Sequence, residues 1–151
     1  MSVTVELIIV TPEREVFRAL VESVTLPTMD GQITVLAHHM PLAAALKAGE
    51  LMIRSNGKDE PFAIGGGFLE VHPDKLIVLA DTAEHMTEID EQRVQEAITR
   101  AEKLKSELAT DHVEYAGMAA KLERDMARLH VIRKHRHHGH HGIPYEGVRK
   151  D

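Results

Sequence analysis

Two hydrophobic periods divide this chain. From residue 3 to about residue 81, apolar residues fall in short groups of strand character. Val3, Val5 and Leu7 alternate with Thr4 and Glu6 and run into Ile8, Ile9 and Val10. Val21, Val24 and Leu26 follow, then Ile33, Val35 and Leu36, then Leu51 and Ile53, Phe62 and Ile64, Phe68 and Val71, and Leu76 and Leu79. A period of two sends successive side chains to opposite faces of a strand. Asp30-Gly31, Asn56-Gly57 and Pro73-Asp74 punctuate the groups. Asn-Gly suits a two-residue hairpin turn, because both central residues take positive φ. Many short strands at this spacing predict an antiparallel sandwich or barrel, in which two small sheets each bury one face.

After Glu84 the period changes. Val94, Ala97, Ile98, Ala101, Leu104 and Leu108 recur at steps of three and four, the stripe of an amphipathic helix. Thr87, three residues before Asp90, resembles a capping box. Ala109-Thr110-Asp111 breaks the stripe, and Thr110 or Asp111 can cap a second helix carrying Tyr115, Ala119, Leu122, Met126 and Leu129. Two such helices joined by a few residues form an antiparallel hairpin. Their stripes are rich in Ala, so the hairpin buries little apolar area and is expected to be lightly held. The predicted organisation is a β domain over residues 1–84, a helical hairpin over 85–134, and a His-rich, disordered tail over 135–151.

Composition narrows the chemistry. The chain has no cysteine, which removes disulfides, thiol nucleophiles and Cys-ligated zinc and fits a reducing compartment. The first residues read as a strand rather than a signal peptide, and no window approaches the roughly 20 apolar residues of a membrane span. A soluble protein is expected. A net charge of −6 gives no bulk attraction to nucleic acid. Gly65-Gly66-Gly67 is followed by a strand, not the helix a phosphate loop needs, and reads as a tight connection or bulge. His38 and His39 read as loop or contact residues. The tail carries His135, His137, His138, His140 and His141, weak candidates for nickel, copper or zinc, against the simpler reading of a solvated tail that titrates near pH 6.5. Residues 143–151 beyond it argue against an appended affinity tag.

Basic residues cluster on the helices. Arg93 and Arg100 are seven apart with Asp90 one turn before, and Arg124 and Arg128 are four apart. Their guanidiniums suit phosphate oxygens if the hairpin brings them together. On the residues alone, solvated faces with local ion pairs are the better reading.

Val21-Glu22-Ser23-Val24, Asp30-Gly31, Pro41-Leu42, Gly66-Gly67-Phe68-Leu69-Glu70-Val71 and Val78-Leu79-Ala80-Asp81-Thr82-Ala83-Glu84 follow one another as do the blocks of the F-type ATP synthase epsilon subunit. The chain resembles that family from about residue 3 to residue 132. The resemblance implies a β-sandwich of about ten strands followed by two helices, an α+β fold. It implies a non-catalytic rotor part that binds the gamma subunit and the c-ring, with Gly31, Gln32, His39 and Pro41 as contact candidates. Gln32, Thr34, Ala37 and His38 depart from the family habit, and Gln32 removes an acid that would face a basic loop of the ring.

The resemblance also implies that the C-terminal helices swing out along gamma and block ATP hydrolysis. The basic second helix, Lys121, Arg124, Arg128, Arg133 and Lys134, would then face acidic segments of the catalytic alpha and beta subunits. Some bacterial members bind ATP on the compact hairpin, and Ile89, Asp90, Arg93, Arg124 and Arg128 match that pattern, with Val94 in place of its small Ala. No cofactor is required under this resemblance. ATP enters as a candidate regulatory ligand, and a free ATP-sensing module is the alternative function. The expected location is the cytoplasmic side of a bacterial cell membrane, reached only through the complex.

Overall fold

The computed structural model describes residues 3–110 and 112–136. Eight strands come first: β1 (Val5–Val10), β2 (Glu15–Val21), β3 (Ser23–Thr28), β4 (Gly31–Leu36), β5 (Leu42–Ser55), β6 (Lys58–Val71), β7 (Lys75–Ala80) and β8 (Ala83–His85). A 3-10 turn, Met86–Glu88, leads into α1 (Glu91–Glu107), and α2 (Val113–His135) returns along it. The strand order is β2-β1-β7-β6-β5-β3-β4, with β8 paired to β6. Every pairing is antiparallel except β1 with β7, which run parallel.

The count of eight differs from the expected ten for a structural reason. β5 and β6 are 14 residues each and serve both layers of the sandwich. The start of β5 pairs with the end of β6, which pairs with β7 in one layer. The end of β5 pairs with β3, and the start of β6 with β8, in the other. Counting each half by itself recovers ten. The bend between halves falls at Gly65-Gly66-Gly67, where Gly66 and Gly67 have φ of 101° and 138°. The three glycines therefore lie within one strand rather than in a connection between two.

Local chemistry sets the register. Asn56 and Gly57 take φ of 53° and 72° and join Ser55 to Lys58 as a two-residue hairpin. Leu7, Ile9, Val24, Leu26, Leu51, Ile53, Leu69 and Val78 are fully buried at alternate positions and fill the space between the layers. Phe62 closes the core with its ring edge-on to Phe17 at 5.8 Å and to His85 at 5.1 Å.

Glu60, near the start of β6, has its carboxyl pushed above the ordinary value by burial. A raised carboxylate pKa favours the fold at acid pH and loses that contribution as pH climbs through the raised value. Glu60→Gln is therefore expected to raise Tm at pH 7 by about 1–2 °C, with the gain shrinking toward pH 4. Thermal scans at the two pH values check this.

The helix ends depart from expectation. Asp90 caps α1, its Oδ1 accepting from the Arg93 backbone N–H at 3.2 Å. Thr87 lies inside the preceding turn, whose capping box is formed by His85 and Glu88 instead. His112 caps α2 by accepting from the Glu114 N–H at 3.3 Å. Thr110 does not, and Asp111 lies outside the described residues. A histidine with a free Nδ1 acceptor serves as a cap in the manner of Asn or Ser.

The second helix also buries other positions than its stripe predicts. Leu122 joins Val94, Ile98 and Ala101 in a small cluster, with Ile89 and Leu129 against it. Met126 is exposed, whereas Asp125, Ala127 and Val131 are buried. α2 packs on α1 and also on β5 and β6, so it has two buried faces and a single stripe cannot describe it.

Candidate functional site

The outward face of the first layer carries an apolar row. Ala45, Phe68, Leu79 and Val10 lie in register across β5, β6, β7 and β1. Phe68 is 61% exposed and Leu79 45%. Both sit one residue out of phase with their buried neighbours Leu69 and Val78, so the strand period itself puts them on the outside. A large aromatic and a leucine side by side on a rigid sheet face are the usual mark of a docking surface. Phe68 and Leu79 count in the sequence only as strand residues, and their phase within alternating strands is the signal that sets them outside the core.

The residues expected to contact gamma and the c-ring fall in two places. Gly31, with φ of 123°, and Gln32 open β4 and are exposed. His39 and Pro41 follow the far end of β4, where the His39 Nδ1 lies 2.8 Å from the Met40 carbonyl oxygen. Met29 and Met40, in the same two segments, are 66% and 72% exposed.

The hairpin is fastened to the sandwich by ion pairs, and here the basic residues of α2 find their partners. Arg128 forms a two-pronged contact with Glu84 on β8: Nε donates to Oε2 at 2.9 Å and Nη2 to Oε1 at 2.8 Å. Its Nη1 donates to Asp125 Oδ1 at 2.6 Å. Burial opposes the Arg128 charge, but Glu84 and Asp125 outweigh it and raise the pKa further. Asp125 is only 3% exposed, and among the described residues its Oδ2 has no hydrogen-bond partner.

One helix turn beyond Val131, Lys134 Nζ donates to Glu50 Oε1 at 3.0 Å, and His135 Nε2 lies 3.0 Å from Glu50 Oε2. Burial pushes the Glu50 carboxyl up, yet the bonds to Lys134 and His135 together hold it below its ordinary value. Arg133 reaches Gln95 at 3.1 Å and Glu91 at 3.7 Å on α1, and Arg136 pairs with Glu91 as well. Lys121 is exposed. Glu50, Glu84 and Asp125 were not singled out from the sequence. Glu84 and Glu50 lie 44 and 84 positions from their partners, a separation that no local period encodes.

The residues matched to an ATP site divide into two sets. Asp90 and Arg93 pair at 3.7 Å on the open side of α1, with the Arg93 side chain 87% exposed. Ile89, between the 3-10 turn and α1, packs on the small helical cluster. Arg124 lays its aliphatic stem against Gly65, where an added Cβ would stand 2.6 Å from Cδ. Arg128 is committed to Glu84 and Asp125. No hydrogen bond or ion pair among the described residues joins Asp90 or Arg93 to Arg124 or Arg128. The groove beside Asp90, about 520 Å³, is lined by Asp90, Glu91, Gln92, Gln95, Glu96 and Arg133 and is mainly acidic. His135 belongs to α2, whereas His137, His138, His140 and His141 lie outside the described residues. No described helix is long and apolar enough to cross a membrane.

A sandwich that shows an apolar outer row and carries a helical arm fastened through acids on its own strands is the build of an assembly module. A family model described as "ATP synthase, Delta/Epsilon chain, beta-sandwich domain" matches residues 4–86, and one described as "ATP synthase, Delta/Epsilon chain, long alpha-helix domain" matches residues 87–133. The chain belongs to the ATP synthase delta/epsilon chain family. It is 43% identical over 130 residues to the ATP synthase epsilon chain of Dehalococcoides mccartyi, covering 86% of this chain and 93% of that one. With the ATP synthase epsilon chain of Chloroflexus aggregans the identity is 42% over 132 residues, 87% of this chain and 94% of the relative.

Among solved structures, a chain of the Euglena gracilis mitochondrial ATP synthase (OSCP/F1/c-ring) superposes with a TM-score of 0.70 at 22% identity, over 82% of this chain and 78% of the other. A chain of the central stalk/c-ring structure of the Tetrahymena thermophila mitochondrial ATP synthase gives 0.54 at 19% identity, over 88% and 96%. These two likenesses concern the fold.

Proposed function

We propose that the chain links the gamma subunit to the c-ring in the central stalk of a rotary ATP synthase, and that its hairpin restrains ATP hydrolysis when it leaves the sandwich. The chain is a non-catalytic part of that machine, and it meets the membrane from the cytoplasmic side of a bacterial cell, through the complex alone. The observation that carries the docking claim is the exposed apolar row centred on Phe68 and Leu79. The gamma subunit is its expected occupant, while the loops holding Gly31, Gln32, His39 and Pro41 face the ring. Phe68→Asp with Leu79→Asp places two charges in that face without touching the core. Retention on immobilised gamma subunit is expected to fall at least tenfold, with Tm nearly unchanged. Undiminished retention would remove this face from the interface.

The regulatory claim rests on how the arm is held. Ion pairs tie the arm to the sandwich beside the buried Ala127 and Val131, and the same cations that bind Glu84 and Glu50 in the docked state become available to acidic surfaces of the alpha and beta subunits once the arm extends. ATP as a regulatory ligand is a second reading, favoured by Arg124, which has no carboxylate within ion-pair distance among the described residues and lies four positions from Arg128. A triphosphate would have to displace Glu84 from Arg128, so weak binding is expected. Calorimetry with ATP on the wild type and on Arg124→Ala decides it: no heat at millimolar ATP ends the reading.

A further inference from the structure

Asp125 is a charge that the docked arm does not need for its grip. Glu84 already holds Arg128 through two prongs, Nε to Oε2 at 2.9 Å and Nη2 to Oε1 at 2.8 Å. Asp125 sets a second carboxylate on the same guanidinium, 2.6 Å from Nη1. It is buried, and its Oδ2 has no hydrogen-bond partner among the described residues. A buried carboxylate with one bare oxygen is costly. On the inner face of α2, three residues after the buried Leu122, an apolar side chain would carry no such cost.

The position of that charge gives it a use. Arg124 lies one helical turn before Arg128, with its stem over Gly65 of β6. Glu84, which holds Arg128, pairs in the sheet with Ala63, two residues before Gly65 on the same strand. Two strand residues span about 6.6 Å and four helical residues about 6 Å, so the two arginines run in step along one side of the β6–β8 ladder. Guanidiniums at that spacing suit the oxygens of a phosphate chain. Arg124 has no carboxylate within ion-pair distance among the described residues, whereas Arg128 faces two. Two carboxylates against one guanidinium leave the Glu84–Arg128–Asp125 group with a net negative charge.

We propose that Asp125 is the specificity determinant of this arginine pair, an internal counter-ion that keeps phosphate groups off Arg128 in the docked arm. This rests on the ATP reading above only in taking Arg124 and Arg128 as the place where a phosphate chain would land. An arriving anion competes for Arg128 against two carboxylates rather than one. A negative charge about 6 Å from the phosphate, in a partly screened site, weakens binding roughly tenfold or more. Docking of the arm then depends on the acids of the chain itself, whatever the phosphate level around it.

The test is calorimetry on the full chain, wild type and Asp125→Asn, with sodium tripolyphosphate and with ATP as probes. Asn keeps an oxygen for the Arg128 Nη1 and removes only the charge. Affinity for both probes is expected to rise roughly tenfold or more in Asp125→Asn. Asp125→Ser, smaller and also uncharged, is expected to show the same gain, and Asp125→Asn combined with Arg128→Ala to lose it. A residue that merely positions Arg128 would give no gain on losing its charge. Equal affinity in the wild type and the uncharged variants, or no binding in any of them, overturns the proposal. So does a gain confined to ATP, which would place the effect on the nucleoside, or one that survives Arg128→Ala. Absence of heat from the wild type alone ends the ATP reading, and binding by Asp125→Asn then still upholds the role of Asp125.

Discussion

Gly67→Ala is expected to prevent stable folding of the sandwich. A Cβ at this position would stand 2.0 Å from the Leu79 carbonyl oxygen and 2.9 Å from the Ala80 Cα, both backbone atoms of the paired strand. Neither can yield without breaking the β6–β7 ladder. The φ of 138° adds strain that only glycine escapes. Backbone strain alone costs about 1–3 kcal/mol, and a forced shift of two hydrogen-bonded strands adds as much again. Against a typical total of about 5–15 kcal/mol, such a loss leaves little margin. Thermal denaturation by circular dichroism should show a drop in Tm of about 8–16 °C, which corresponds to roughly 4 kcal/mol in a chain of this size. A shift under about 5 °C would show that β6 and β7 accommodate the methyl group.

Arg128→Ala is expected to release the arm while the sandwich stays folded. The substitution removes both prongs on Glu84 and the bond to Asp125, and it strands a buried carboxylate whose other oxygen already lacks a partner among the described residues. Breaking a fully buried ion pair costs about 3–5 kcal/mol, and the partial exposure of Glu84 places this one nearer 2–3. Leu122 packs with Val94, Ile98 and Ala101 of α1, so of the buried apolar residues of α2, Ala127 and Val131 are what remains beside the clamp. Hydrogen exchange over α2 should accelerate about 30-fold or more, with the core strands unaffected. Adding Asp125→Asn should recover part of the loss, because it removes the stranded charge. Equal exchange in wild type and Arg128→Ala would mean that the clamp contributes nothing to docking.

How much of this was legible in the sequence differs between the two halves. Strand alternation and turn residues located the hairpins, since Asn56-Gly57 encodes its turn within two residues and Leu69, Val71, Leu76 and Val78 mark the core phase. Strand number was less legible, because the bends of β5 and β6 are visible only when opposite strands are in place. On the hairpin, heptad-like spacing located α1 well and α2 poorly. Asp125 is charged and buried, and Met126 is apolar and exposed, so the pattern inverts where the sandwich replaces solvent as the neighbour. The basic residues were visible, but their partners Glu84 and Glu50 belong to strands far off in sequence. A clamp whose two sides are separated in this way emerges only from the folded chain.

The central claim, a rotor subunit whose hairpin is held off by acids of its own sandwich, is tested most directly by the ratio of ATP hydrolysis to ATP synthesis in membranes reconstituted with three forms. These are the wild type, Glu84→Gln, and the chain ending before Thr87. Hydrolysis is expected to be lowest with Glu84→Gln, where the sandwich side of the clamp is lost, Arg128 is kept and the released arm reaches its inhibitory position more often. It should be highest with the shortened chain, which has no arm, while all three support synthesis. The same ratio with all three forms would contradict the account.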